Sequence, residues 1–211
     1  LAVLLFVLIA FAVSARQSGE LPRFDIALAR SLHAQLPLPL LRAAAMLTHL
    51  GDVLWIAPAA TLLLVVLLRR RQWRLAAVWA LALIGIMPID GGLKALFQRV
   101  RPLHDHGFIS EPGWSFPSGH AFGATVFCGM LAYVLLRLLP QRFHRAVVAS
   151  ALGLIGVIGI SRILLQVHYL SDVLAGYAGG AAWLVLCIGI AEYLRGSTSA
   201  AAGNVPPEPR P

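Results

Sequence analysis

Six runs of apolar residues, at 1–13, 43–68, 75–89, 118–139, 146–165 and 170–194, are separated by short arginine- or proline-rich joints. A helix needs ~20 apolar residues to cross a hydrocarbon core of ~30 Å. The runs therefore predict an all-α fold: a polytopic membrane helical bundle of about six transmembrane helices, forming one domain over residues 1–195. The first run is short for a span. The chain opens without methionine, so this run is read as the end of a longer helix rather than as a signal-peptide remnant, despite the cleavage-like A-V-S-A. Composition agrees: 59% of the 211 residues are hydrophobic and 12% are charged, too little polar surface for a water-soluble domain of this size. The net charge of +8 has no solvated basic domain to present it, so nucleic acid is excluded as a partner. Cys128 and Cys187 both sit inside apolar runs and carry no metal-binding spacing.

Arginine distribution predicts orientation. Arg69, Arg70, Arg71 and Arg74 join the second and third runs, Arg137, Arg142 and Arg145 surround the joint between the fourth and fifth, and Arg195 follows the sixth. The positive-inside rule puts these clusters, and both termini, in the cytoplasm. The other joints then face outward, to the periplasm in a bacterial inner membrane. The first outer loop, 14–42, is too polar to span. Leu21, Phe24, Leu28 and Leu32 predict a helix lying at the interface. Glycines at 153, 156 and 159, and at 176, 179 and 180, suit close packing of membrane helices. The tail at 196–211 reads as disordered.

Three segments on the outward side carry chemistry. In K-A-L-F-Q-R-V-R-P, Lys94 and Arg101 are seven residues apart and share a face if the helix persists. Arg99 lies well round that helix and is left out of the site. In P-S-G-H, a proline-led helix start leaves amides free for an anion. Gly119 lets a phosphate approach the backbone, Ser118 adds a hydroxyl, and His120 stands in the first turn. In S-R-I-L-L-Q-V-H-Y-L-S-D, His168 and Asp172 are four apart, so the carboxylate can fix the imidazole tautomer and leave the other nitrogen as a nucleophile. Arg162 lies off that face, which requires a bend before His168. Three cations can stabilise phosphoryl transfer without a metal, and no carboxylate cluster suits magnesium. No cofactor is expected. Asp90 stands one turn before Lys94, and the loop residues His104, Asp105 and His106 read as solvated or substrate-gating.

These segments resemble the three-part signature of the type 2 phosphatidic acid phosphatase superfamily, K-x6-R-P, P-S-G-H and S-R-x5-H-x3-D, in order and at the family's spacing. The resemblance implies a membrane-integral, metal-independent lipid phosphatase. It assigns His168 as the nucleophile that becomes phosphohistidine and Asp172 as its orienting carboxylate. It makes His120 the acid that protonates the leaving oxygen and then activates water. Lys94, Arg101, Arg162, Ser118 and Gly119 are implied to hold the phosphoryl oxygens. The expected substrate is a lipid phosphate or diphosphate in the bilayer, first undecaprenyl diphosphate, with phosphatidylglycerophosphate, phosphatidic acid and lipid A as alternatives. Transfer to a lipid acceptor is a close variant. The signature is also similar to that of vanadium haloperoxidases, which are largely soluble, unlike this chain. A lipid transporter would place its ionisable groups at the membrane midplane rather than at one face.

Overall fold

The computed structural model describes residues 1–14, 20–102, 107–109 and 111–203; the His104–Asp105–His106 loop lies outside them. The described residues form nine α-helices: α1 (Ala2–Ser14), α2 (Glu20–Gln35), α3 (Leu38–Thr48), α4 (Val53–Arg69), α5 (Trp73–Ile84), α6 (Ile86–Phe97), α7 (Gly119–Leu138), α8 (His144–Leu164) and α9 (Leu170–Gly203). Five helical stretches are long and apolar enough to cross a membrane, with α3–α4 and α5–α6 each counting as one interrupted stretch. At 13 residues, α1 is ~20 Å long and falls short of a full crossing. The helix of the last span continues to Gly203, past residue 195, where the sequence reading placed the start of an irregular tail.

The bundle wears its apolar residues outside as well as in. Leu54, Leu62, Ile84 and Leu186 are exposed, while Trp79, Phe122, Val126, Met130 and Val134 form the core between α5, α7 and α9. An apolar exterior suits lipid, where helices are held by packing rather than by exclusion of water. α7 and α9 share the most extensive contact among the described helices. Gly176 permits this: a Cβ there would lie 2.6 Å from the Ser118 carbonyl oxygen, and one at Gly180 would lie 2.8 Å from the Phe122 carbonyl. Gly159 similarly admits the Tyr177 ring. Gly153 and Gly156 face open space, so the predicted glycine seam on α8 is only its last member.

Two interruptions position the functional groups. A 3-10 turn at His49–Gly51 separates α3 from α4, placing Asp52 at a bundle end. α8 stops at Leu164, Gln166 adopts a left-handed backbone with φ 53°, and α9 begins at Leu170. This is the bend that the spacing of Arg162 and His168 requires. α6 behaves differently from expectation. It ends at Phe97 on a left-handed Gln98, so Lys94 and Arg101 do not share a helical face.

Candidate active site

Gly119 opens α7 behind Ser118, whose hydroxyl oxygen accepts from the Ala121 amide at 3.5 Å. That contact caps the helix and leaves the hydroxyl proton available. The Ser118 amide donates to the Asp172 carbonyl at 2.9 Å, joining the second and third segments. A Cβ on Gly119 would lie 3.1 Å from Lys94 Nζ and 2.9 Å from Asp90 Oδ2, so a side chain here would fill the space beside the lysine. Lys94 donates to Asp90 at 2.7 Å, and the other Asp90 oxygen is buried without a partner among the described residues.

His168 is buried on the bend before α9. Its Nδ1 lies 2.7 Å from the Ser115 carbonyl oxygen and 3.7 Å from Asp172 Oδ2. A carbonyl only accepts, so Nδ1 carries the proton and Nε2 the lone pair. Arg101 Nη1, which only donates, stands 3.1 Å from Nε2 and agrees with that tautomer. The Ser115 carbonyl is thus the nearer partner of Nδ1, and Asp172 acts on the ring from 3.7 Å. Asp172 is saturated by other donors. It accepts from the Ser115 hydroxyl, from the Tyr169 amide at 2.9 Å and from Arg99 Nη1 at 2.5 Å.

The exclusion of Arg99 is corrected. The break at Gln98 turns it back toward the site, where it bridges Asp172 to Asp25 of α2, 2.8 Å away, with Tyr169 stacked 4.3 Å below the guanidinium. Asp25 in turn accepts from the Ser171 amide at 3.1 Å. α2 thus turns a buried aspartate toward Ser171 and Arg99 and leaves Phe24 exposed.

Arg162 is buried and donates to Thr48 Oγ1 at 2.7 Å and to Glu111. Its Nε is buried with no partner among the described residues, an orphan donor of the kind a phosphoryl oxygen satisfies. Burial raises the Glu111 pKa, but Arg162, with His120 and Arg101 nearby, outweighs burial and holds it below the ordinary carboxylate range. Glu111 thus supplies a resident carboxylate beside the cations. His120 Nε2 lies 2.9 Å from Asp52 Oδ1, and Asp52 Oδ2 lies 2.6 Å from His49 Nδ1.

Lys94, Arg101, Ser118, Gly119, His120, Arg162, His168 and Asp172 thus lie at one bundle end, gathered from α6 and the segment after it, the start of α7, and the junction of α8 with α9. Sequence reasoning missed Asp25, Asp52, Arg99, Glu111 and Ser115. The interruption at His49, Gly51 and Asp52 was visible as polar residues breaking an apolar run. Asp25 falls in the middle of the apolar face formed by Leu21, Leu28 and Leu32, and a carboxylate there requires a partner.

Burial pushes the His168 pKa down to about 4, helped by Arg101 and Arg162 and opposed by Asp172. His168 is therefore neutral above that value. The acidic limb of kcat/KM that belongs to this group should fall near pH 4, with activity lost as pH drops through it. An unfolded histidine protonates near 6.5. Native stability should therefore also decline as pH falls from 6.5 towards 4, because the unfolded chain binds more protons there. A limb moving to 6.5 in the free protein would contradict the buried geometry.

The PAP2 superfamily pattern matches residues 73–195. Phosphatidylglycerophosphatase B of Bacillus subtilis is 38% identical over 106 residues, 49% of this chain and 51% of that protein, so the match spans about half of that relative's length. Lipid A 1-phosphatase of Rhizobium johnstonii is 30% identical over 177 residues, 73% of this chain and 68% of that protein. The crystal structure of a transmembrane PAP2-type phosphatidylglycerolphosphate phosphatase from Bacillus subtilis superposes with a TM-score of 0.81 at 26% identity, covering 91% of this chain and 96% of that one. With the three signature segments meeting at one bundle end, and the family pattern running from α5 through the spanning part of α9, the chain belongs to the PAP2 superfamily.

Proposed function

We propose that this membrane protein is a lipid phosphatase that works through a phosphohistidine. The carrying observation is His168: a buried, neutral imidazole whose Nδ1 proton is held by the Ser115 carbonyl and whose Nε2 lone pair faces Arg101. Nε2 attacks the phosphorus, and the bond from phosphorus to the lipid oxygen breaks. His120 gives its proton to that oxygen. Water then attacks the phosphohistidine and gives its proton to His120. The P–N bond breaks, and inorganic phosphate leaves. Lys94, Arg101, Arg162, the Ser118 hydroxyl and the Gly119 amide hold the phosphoryl oxygens, with Arg162 transferring a donor from Glu111 to the substrate. This charge cradle needs no metal to stabilise the phosphoryl group.

The exposed apolar helices supply the substrate class, since a lipid phosphate reaches the site from the bilayer with its headgroup at the bundle end. The arginine clusters at the opposite end favour an active site facing the periplasm. Similarity to the Bacillus structure supports phosphatidylglycerophosphate as one candidate, beside the undecaprenyl diphosphate expected from sequence. The test is phosphate release by purified protein offered undecaprenyl diphosphate, phosphatidylglycerophosphate, phosphatidic acid or lipid A, with and without EDTA. One lipid should stand out in specificity constant, with EDTA having no effect. Loss of activity in EDTA would overturn the metal-free mechanism, and no release from any lipid would overturn the substrate class.

A further inference from the structure

The 3-10 corner between α3 and α4 presses on His120, outside all three signature segments. A Cβ on Gly51 would lie 3.0 Å from His120 Cδ2 and 2.9 Å from an Ile158 methyl. Only a glycine lets the corner come this close. Asp52, the next residue, places Oδ1 2.9 Å from His120 Nε2. Its other oxygen is held by His49 at 2.6 Å. The Cδ2–Nε2 edge of the imidazole therefore faces the corner. Nδ1, on the other edge of the ring, faces away from it. Among the described residues, the charged groups facing this imidazole are Asp52, with His49 behind it, from the corner, Arg162 from α8 and Glu111 from the segment before α7.

We infer that Asp52 is the positioning residue for His120, forming an aspartate–histidine pair that makes Nδ1 the proton-transferring atom. This rests on His120 being the acid–base group of the proposed reaction. Asp52 accepts the Nε2 proton throughout. In the first step the imidazolium gives its Nδ1 proton to the lipid oxygen as the P–O bond breaks, and the neutral ring keeps Nε2–H on Asp52. In the second step the Nδ1 lone pair takes a proton from water as the water oxygen bonds to phosphorus and the P–N bond to His168 breaks. The carboxylate fixes the ring orientation in both steps and favours the imidazolium in the first.

The logic resembles a hydrolase dyad, but the carboxylate comes from a break in a membrane helix 68 residues before the histidine. Nothing in the local sequence around P-S-G-H announces it. His49, on the outer oxygen and largely exposed, keeps the carboxylate from rotating away.

The test separates acid catalysis from mere support of the fold. A good leaving group departs without a proton, so only a poor one needs His120. The burst of leaving group in the first turnover is measured for an alkyl phosphate lipid and for p-nitrophenyl phosphate, using purified full-length protein. Asp52→Asn should slow the alkyl burst about 10- to 100-fold, with KM within about threefold, and slow the nitrophenyl burst by less than about threefold. His120→Ala should show the same leaving-group dependence, more steeply. Equal loss on both substrates for Asp52→Asn, including loss through misfolding, would assign Asp52 a structural role and overturn the inference. An unchanged alkyl burst in Asp52→Asn, while His120→Ala collapses, would overturn Asp52 alone. If His120→Ala keeps the alkyl burst, the reading of His120 falls and Asp52 falls with it.

Discussion

Replacing His168 by alanine should abolish phosphate release, with a drop of roughly a thousandfold or more in kcat, because the proposed mechanism gives the covalent step to this imidazole. The geometry makes this a sharp expectation. The imidazole is buried, its Nδ1 lies 2.7 Å from the Ser115 carbonyl, and Arg101 stands 3.1 Å from Nε2. Substrate binding should survive far better than turnover, since the phosphoryl cradle is built from other side chains. Removing one imidazole leaves the Ser115 carbonyl without its donor, a loss of order 1–3 kcal/mol, which the bundle can absorb. Rapid quench with phosphorus-labelled substrate should trap an acid-labile, base-stable phosphoenzyme in the parent protein and none in His168→Ala. Undiminished phosphate release by the purified variant would dispose of the mechanism.

The signature segments were readable because their information is local. Spacing alone separated Arg162 from the His168–Asp172 turn and required a bend, and the left-handed Gln166 supplies it. The same helical extrapolation failed for Arg99. It assumed that α6 continued to Arg101, whereas the chain leaves the helix at Gln98 and swings Arg99 onto two carboxylates. Tertiary demand decided that end: no glycine marks the left-handed position, and Pro102 lies four residues beyond it. Asp52 and Glu111 were opaque for another reason. Each meets its partner across a long sequence separation, Asp52 with His120 and Glu111 with Arg162. Periodicity within one helix says nothing about such pairs. Asp25 was legible in principle, because a carboxylate centred on an apolar helical face announces a buried cation.

The largest stability effect should come from the residue that helical spacing excluded. Arg99 is the cation shared by two carboxylates, Asp25 and Asp172, whose side chains are fully buried. Burial works against its charge, but Asp172 and Asp25 outweigh burial and hold its pKa above the ordinary value. Arg99→Met retains much of the apolar stem and the contact with Tyr169, yet leaves both carboxylates without their cation. Breaking a buried pair in this way costs about 3–5 kcal/mol, and two anions facing each other add to the strain. Asp25→Asn removes one of those charges while keeping the side-chain shape and the Ser171 contacts. The double variant, Asp25→Asn with Arg99→Met, should therefore be more stable than Arg99→Met alone, with a coupling of about 1–3 kcal/mol in a double-mutant cycle. Thermal unfolding in detergent reads the stability, and phosphate release reads the catalytic layer. Activity should recover less than stability, because Asp172 still lacks the donor that Arg99 provides at 2.5 Å. Additive losses across the cycle would show that Arg99 does not couple α2 to Asp172.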